Sequence, residues 1–335
     1  MATTSVRDVA ARAGVSVGTV SNVMNHPGKV TPATVARVTA AIEELGFVRN
    51  DAARQLRDGR SKTIGLVVLD VRNPFFTDIA RGAEDTAAEA GLSVTLGNSD
   101  ENTDRESAYL DLFEQQRVHG VLISPYSDIT ARLLRLRARG IPAVLVDRTS
   151  SDLSLSSVSV DDVAGGRLAV EHLLARGRRR LVFLGGPLEI RQISDRLEGA
   201  RQAIAGTDAT LEVIELLALS VLEGRSAASQ IVLRRVEDRP DGIFAANDLV
   251  ATGVLQALVI QGADVAVPGE IALIGYDDID FAAAAVVPLS SIRQPSTLIG
   301  RTAVEILLDE AADSALPARQ IVFQPELVVR ASSGG

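Results

Sequence analysis

From Thr63 onward the chain alternates short apolar runs with amphipathic stretches of helical period, and few architectures accept that order. TIGLVVLD (63–70) is almost continuously apolar, the composition of a parallel strand covered on both faces. A helix over 74–90, opened by Pro74 and closed by Gly91, comes next. Strand 93–97, helix 103–116, strand 120–123, helix 128–139 and strand 143–146 continue the alternation. After a Ser-rich stretch at 149–159 a second series begins at SVSVD (157–161). It runs through helix 163–176, strand 180–184, helix 194–205, strand 211–217, helix 223–236, strand 242–245, helix 248–261 and strand 271–276. This order predicts an α/β fold of doubly wound parallel sheets in two similar lobes with a cleft between them. Ligands of such sheets bind outside the carboxyl ends of the strands.

The N-terminal residues have a different period. In SVRDVAARAGVSVGTVSNVMN (5–25), Val6, Val9, Ala10 and Ala13 recur at helical spacing, with Ser5 as N-cap and Asp8 three residues later. Gly14 can take the left-handed conformation that ends a first helix. Ser16 then caps a second, with Val20 and Val23 inward and Val17, Gly18 and Asn22 outward. This predicts a helix-turn-helix, whose second helix enters the DNA major groove; an ordinary helical hairpin is the alternative. A third helix starts at Thr31-Pro32, points Val35, Val38, Ile42 and Leu45 inward and stops at Gly46. One or two helical turns at 50–58 follow, too short to be stable without a partner.

Charge separates the same parts. The whole chain carries −9, yet residues 1–60 hold eight basic and five acidic side chains, a balance of +3 that leaves −12 for the rest. A basic head on an acidic body fits a DNA-binding module attached to a separate soluble domain. There is no Cys and there are only three His, so no disulfide framework, thiolate site or zinc site is expected. With no signal-peptide pattern and no spanning run, a cytoplasmic protein without membrane contact is expected. GRSKT (59–63) lacks the spacing of a phosphate loop, and no G-x-G-x-x-G follows a strand. No catalytic triad or carboxylate arrangement stands out, and His119 and His172 read as surface residues. No enzyme activity and no cofactor are expected.

Several motifs in order resemble the lactose-repressor (LacI/GalR) family over essentially the whole chain. They are VRDVAARAGVSVGTVSNVMN, VTPATVARVTAAIEELGF, AARQLRDGRSKTIGLVV, NPFF (73–76), FAANDLVATGV (244–254) and IGYDDID (274–280). The resemblance implies a head at 1–46, a hinge helix at 47–60 and an effector-binding and dimerisation body at 61–335. It places lobe 1 at about 61–160 and 289–320, and lobe 2 at about 161–288 and 321–330. A recognition helix over about 17–25 would choose the operator through Val17, Gly18 and Asn22. Asn22 is able to pair bidentately with adenine. Ser16, Thr19 and Ser21 are better placed for phosphate contacts, and Asn25, at the end of the same helix, is a further DNA-binding candidate. In the hinge helix, Ala53 and Leu56 would meet the minor groove, Leu56 as the apolar wedge. Arg49 stands where family members often carry Pro. The chain stops soon after Val329-Arg330 without a heptad tail, so a dimer on a pseudopalindromic operator is expected.

Polar groups at strand ends, with flat apolar faces, are what a hydrophilic ligand needs. The candidates are Asn73, Phe75, Phe76, Asp147, Arg148, Arg196, Asn247, Asp277 and Gln294; each also has a bland role as cap, core residue or surface pair. The set is similar to that of ribose-binding periplasmic proteins and ribose-type repressors. By that likeness Asp147, Arg148, Arg196, Asn247, Asp277 and Gln294 would hold hydroxyls, with Phe75 and Phe76 below the ring. Leu219 stands where those sugar binders stack a Phe, which leaves room for another pentose or another small polar ligand. A purine effector is the second reading, and a pure solute-binding protein a third. Whether the effector releases or promotes DNA binding is left open.

Overall fold

The computed structural model describes residues 4–47, 61–260 and 265–334. The chain divides into two compact units, Met1–Arg60 and Ser61–Gly335.

In the first unit α1 (Val6–Ala13), α2 (Val17–Asn25) and α3 (Pro32–Leu45) surround a small core of Val9, Ala10, Ala13, Val20, Val23, Val38 and Ala41. Local chemistry sets each boundary. Ser5 and Asp8 form a reciprocal capping box at the start of α1: Asp8 N–H donates to the Ser5 hydroxyl at 3.4 Å, and Ser5 N–H to the Asp8 carboxylate at 2.8 Å. Gly14, at φ +65°, closes that helix. The Ser16 hydroxyl accepts from Thr19 N–H at 3.1 Å and so opens α2. Thr31 precedes α3 without a side-chain cap, its hydroxyl lying 3.0 Å from that of Thr34.

The second unit contains two six-stranded sheets. The first is built from β1 (Thr63–Val68), β2 (Ser93–Asn98), β3 (Gly120–Ile123), β4 (Ala143–Val146), β5 (Ser156–Val160) and β11 (Gln320–Phe323), in the order β11-β5-β4-β3-β1-β2. The second is built from β6 (Arg180–Gly185), β7 (Thr210–Glu215), β8 (Gly242–Ala245), β9 (Ala272–Asp277), β10 (Ser290–Arg293) and β12 (Glu326–Val328), in the order β12-β10-β9-β8-β6-β7. All pairings are parallel except β10 with β12. The helices that position the site are α4 (Pro74–Glu89), α5 (Thr103–Gln115), α6 (Thr130–Ala138), α7 (Asp162–Ala175), α8 (Arg191–Ile204), α9 (Val221–Val232), α10 (Asp248–Leu255), α11 (Asp280–Ala283) and α12 (Ser296–Ala312).

The connectivity corrects three expectations. The strand at SVSVD ends the first series, against the alternation but in line with a lobe 1 bound near 160: β5 pairs with β4 from Val144↔Ser156 to Val146↔Val158. The return to the first lobe, expected near residue 289, comes after β10, which pairs with β9 in the second sheet. Ser290 and Ser291 are fully buried, and their hydroxyls find partners only there, at the Arg330 carbonyl and Asp248 Oδ1. The second return, expected near 320, comes after β11, which pairs with β5. Three segments therefore cross between the lobes, at 161, 294–295 and 324–325.

Helices meet in close pairs. An added Cβ on Gly166 of α7 would lie 2.0 Å from the Arg196 carbonyl oxygen, and one on Gly199 of α8 2.0 Å from that of Val163. Backbone contact of this kind seats Arg196 against the first turn of α7, which begins at the crossing segment. Gly82 with Gly300, and Gly224 with Gly253, repeat the reciprocal arrangement in α4–α12 and α9–α10.

Candidate ligand site and nucleic-acid interface

Three strand-to-helix junctions and the turn after β4, two sites in each lobe, deliver polar groups to one cavity. Asn73 caps α4, its Oδ1 accepting from Phe75 N–H at 3.1 Å, while its Nδ2 donates to Asp277 Oδ2 on the other lobe at 3.0 Å. Asp147 follows β4 at φ +56°, and its N–H donates to the Val158 carbonyl at 2.8 Å. Asn247 caps α10, accepting from Val250 N–H at 2.9 Å. Asp277 ends β9 at φ +100°. Two of these four residues thus hold the left-handed region that non-glycine residues occupy mainly where surroundings impose it.

The cavity is small and partly open to solvent. The expected residues Asn73, Phe75, Phe76, Asp147, Arg196, Leu219, Asn247 and Asp277 line it. Phe75 and Phe76 meet edge to face, with ring centroids 5.1 Å apart, and form its apolar floor. Leu69, Asp70, Glu101, Ile190, Gln192 and Ile193 also line it and were missed. For Gln192 the signal was positional: α8 begins at Arg191, three residues before the expected start, which puts Gln192 on its first turn.

Arg196 organises the charges. Its Nε donates to Asp162 Oδ1 at 2.8 Å, its Nη1 to the Ala246 carbonyl at 2.8 Å, and its Nη2 lies 3.9 Å from Asp277 Oδ1. The guanidinium stacks 3.7 Å above the Tyr276 ring. Burial alone would push this guanidinium down, but Asp162, Tyr276, Asp277 and Asp147 together raise it. One cation does not compensate three buried carboxyls. Burial, then repulsion from Asp162, pushes Asp147 well above the ordinary carboxylate range. Burial likewise raises Asp277 to about 6, against Arg196, Asn73 and Gln294, which favour its charged form.

Two expected residues do not line the cavity. Arg148 turns away: with Asp147 in the left-handed region, the following side chain leaves the cleft, and its Nη1 donates to the Pro125 and Ser127 carbonyls at 3.3 and 3.0 Å. Gln294 stands behind the wall at a crossing segment, and its Nε2 donates to Asp277 Oδ1 at 2.8 Å.

On the head, Ser16, Val17, Gly18 and Asn22 are exposed along one side of α2, while Thr19, Ser21 and Asn25 are half-buried. Ser16 shares its hydroxyl with Thr19 at 2.9 Å. Asn25 is engaged within its own helix, with Nδ2 donating to the Ser21 carbonyl at 2.9 Å, so it is not a free reading group. Ala53, Leu56 and Arg49 lie outside the described residues.

A three-helix head with this turn, joined to a two-lobed doubly wound body, defines a DNA-binding regulator with a periplasmic-binding-protein-like body. Comparison with known proteins agrees part by part. Residues 5–50 match the family of bacterial regulatory proteins of the lacI type, and residues 170–333 match the periplasmic binding protein-like domain. The ribose operon repressor of Bacillus subtilis is 36% identical over 91% of this chain and 90% of its own length. The repressor PurR of Photobacterium profundum is 34% identical over 98% of each chain. Among solved structures, the lac repressor dimer bound to operator and an anti-inducer is 28% identical, with TM-score 0.84 over 99% of each chain. A LacI family regulator from Enterococcus faecium with bound ribose is 26% identical, with TM-score 0.73 over 81% of this chain and 98% of its own. The chain belongs to the lacI family of bacterial regulatory proteins, as a DNA-binding transcriptional repressor. Among the described residues no helix is long and apolar enough to cross a membrane.

Proposed function

We propose that this repressor senses a pentose such as ribose in its inter-lobe cleft, binds a palindromic operator as a homodimer in the cytoplasm, and controls sugar-utilisation genes. The observation that carries the reading is the cavity itself. Asp147, Arg196, Asn247 and Asp277 present donors and acceptors from both lobes above the Phe75–Phe76 floor, the combination that a small polyhydroxylated ring requires. Support also comes from the ribose operon repressor and from the ribose-bound regulator similar to this chain. The operator-bound lac repressor dimer supports two-fold reading. Val17, Gly18 and Asn22 face the bases, Ser16, Thr19 and Ser21 the phosphates, and Ala53 and Leu56 the minor groove. An effector that prefers one lobe arrangement shifts the balance between DNA-binding states.

Calorimetry of the full chain with pentoses, hexoses and purines tests this, alongside footprinting on palindromes upstream of its own gene. Binding of a pentose that changes operator protection is expected; binding of hypoxanthine or guanine, with every pentose silent, overturns it. The purine reading is kept second because of the PurR relative and because Leu219 offers a sugar no aromatic stack.

A further inference from the structure

Among the described residues, the side chain of one cavity wall residue bonds only across the cleft. Gln192, on the first turn of α8 in the second lobe, is 4% exposed. Its Nε2 donates to the main-chain oxygen of Asp147 at 2.7 Å and to Asp147 Oδ2 at 2.9 Å. A carbonyl oxygen only accepts, so chemistry fixes the amide orientation: Nε2 faces Asp147 and Oε1 does not. Asp147 is held in its left-handed conformation from both ends, by the Val158 carbonyl at its N–H and by Gln192 at its C=O.

Two buried oxygens are then left over. Asp147 Oδ1 and Gln192 Oε1 have no hydrogen-bond partner among the described residues. Both belong to residues that line the cavity. An unpartnered buried oxygen is costly, and two of them on one cavity wall point to a ligand that supplies their partners. Hydroxyls suit this wall because each donates and accepts, which satisfies Asp147 whether charged or protonated. An anionic ligand suits it poorly, since Asp147, Asp162 and Asp277 surround Arg196, the one basic residue that lines the cavity among the described residues.

We infer that Gln192 is a specificity-determining residue of the effector site, pairing with Asp147 to receive two neighbouring hydroxyls of a neutral polyol and orienting the Asp147 carboxyl for that contact. The inference rests on the effector reading above and adds a subsite to it.

The test is calorimetry of the full chain and Gln192→Met with D-ribose, 2-deoxy-D-ribose and 3-deoxy-D-ribose. Methionine keeps the length and removes donor and acceptor together. Gln192→Met is expected to weaken D-ribose roughly ten- to hundredfold, since it leaves ligand hydroxyls unpaired in a buried site. For the deoxy sugar that lacks the bonded hydroxyl, the same substitution should cost less than about threefold, a coupling that general loosening does not produce. If Gln192→Met fails to fold in ligand-free thermal unfolding, Gln192→Asn, which withdraws the amide, must show the same coupling. Equal losses for all three sugars, or none, overturn the inference while leaving the pentose reading standing. A wild-type chain that binds no pentose overturns that reading and this inference with it.

Discussion

Asn73 and Asp277 meet across the cleft, with Asn73 Nδ2 donating to Asp277 Oδ2 at 3.0 Å although 204 residues separate them in sequence. The bond joins the first helix cap of one lobe to the last residue of a central strand in the other. Gln192 and Asp147 form a second such bond in the opposite sense, from lobe 2 to lobe 1. The free cleft is thus clasped by groups that the proposed effector also needs.

Substituting Asn73 by Ala removes a cap and a clasp together. The cap alone is worth about 0.5–2 kcal/mol, and the stranded Asp277 oxygen adds about 1 kcal/mol or more. Urea unfolding of the full chain should show a loss of about 2 kcal/mol. Small-angle scattering of the ligand-free chain should show a larger radius of gyration if the lobes are released. An unchanged unfolding midpoint removes the clasp from consideration.

Stability should carry an inverted pH signature at Asp277. Its pKa rises from the ordinary 3.8 to about 6 on folding. Between those values the folded state binds more protons than the unfolded state, so this group's contribution to stability falls as pH rises. The penalty is absent below about pH 4, complete above about pH 6, and about 3 kcal/mol in size at 1.36 kcal/mol per pH unit. Asp147 and Asp162 shift the same way through burial. Exposed pairs such as Glu212 with Arg234 shift the opposite way, so the readout must be a difference. Relative to Asp277→Asn, the wild type should gain stability as pH is lowered from 7 to 5. A difference independent of pH contradicts the shift.

The recognition face makes a separate claim about DNA. Asn22 is exposed on α2 beside Val17 and Gly18. Asn22→Ala should weaken binding to the preferred operator by about 1–3 kcal/mol and relax preference at one base pair. Because no charge is lost, the slope of affinity against salt should not change. Fluorescence anisotropy at two salt concentrations, on matched and mismatched operators, checks both statements. A uniform loss across sequences would assign Asn22 to the backbone instead.

The alternating lobes were legible because their strands are nearly unbroken apolar runs and their helices are punctuated by Pro and Gly, signals that act locally. β10 was not, since Ser290 and Ser291 look like a loop until Asp248 and the C-terminal segment supply their partners. The cavity residues were legible by resemblance to a known pattern at strand ends. Arg148 was misplaced because adjacency in sequence predicts a shared site, whereas the left-handed turn at Asp147 separates the two side chains. Gln192 was missed because its role exists only across the cleft. Long-range pairing and backbone sign are the quantities that a local pattern does not encode.

Helix approach gives a steric prediction. Gly166→Ala would bring a Cβ to 2.0 Å from the Arg196 carbonyl oxygen, a backbone atom with no freedom to retreat. The helices must separate, at a cost of about 1–3 kcal/mol by the usual measure of overpacking. Arg196 moves with α8, so affinity for the effector should fall with stability. Thermal unfolding and calorimetry on one preparation decide it, and full stability with full affinity would refute the packing described.

Arg196 itself should prove irreplaceable by either a smaller or a similarly charged side chain. It is 4% exposed and holds Asp162, Ala246 O and the face of Tyr276 in three directions. Arg196→Met leaves Asp162 and Asp277 buried without their cation, a change that typically costs about 3–5 kcal/mol. Lysine restores the charge, but as a point donor it cannot bond Asp162 and Ala246 O in a fixed fork while stacking on a ring. Arg196→Lys should therefore recover less than half of the lost stability in urea unfolding. Lowering the pH should recover part of the remainder in both variants, because protonating Asp162 and Asp277 removes the uncompensated charge. Full recovery by lysine at neutral pH would show that charge alone, and not the planar fork, holds the cleft together.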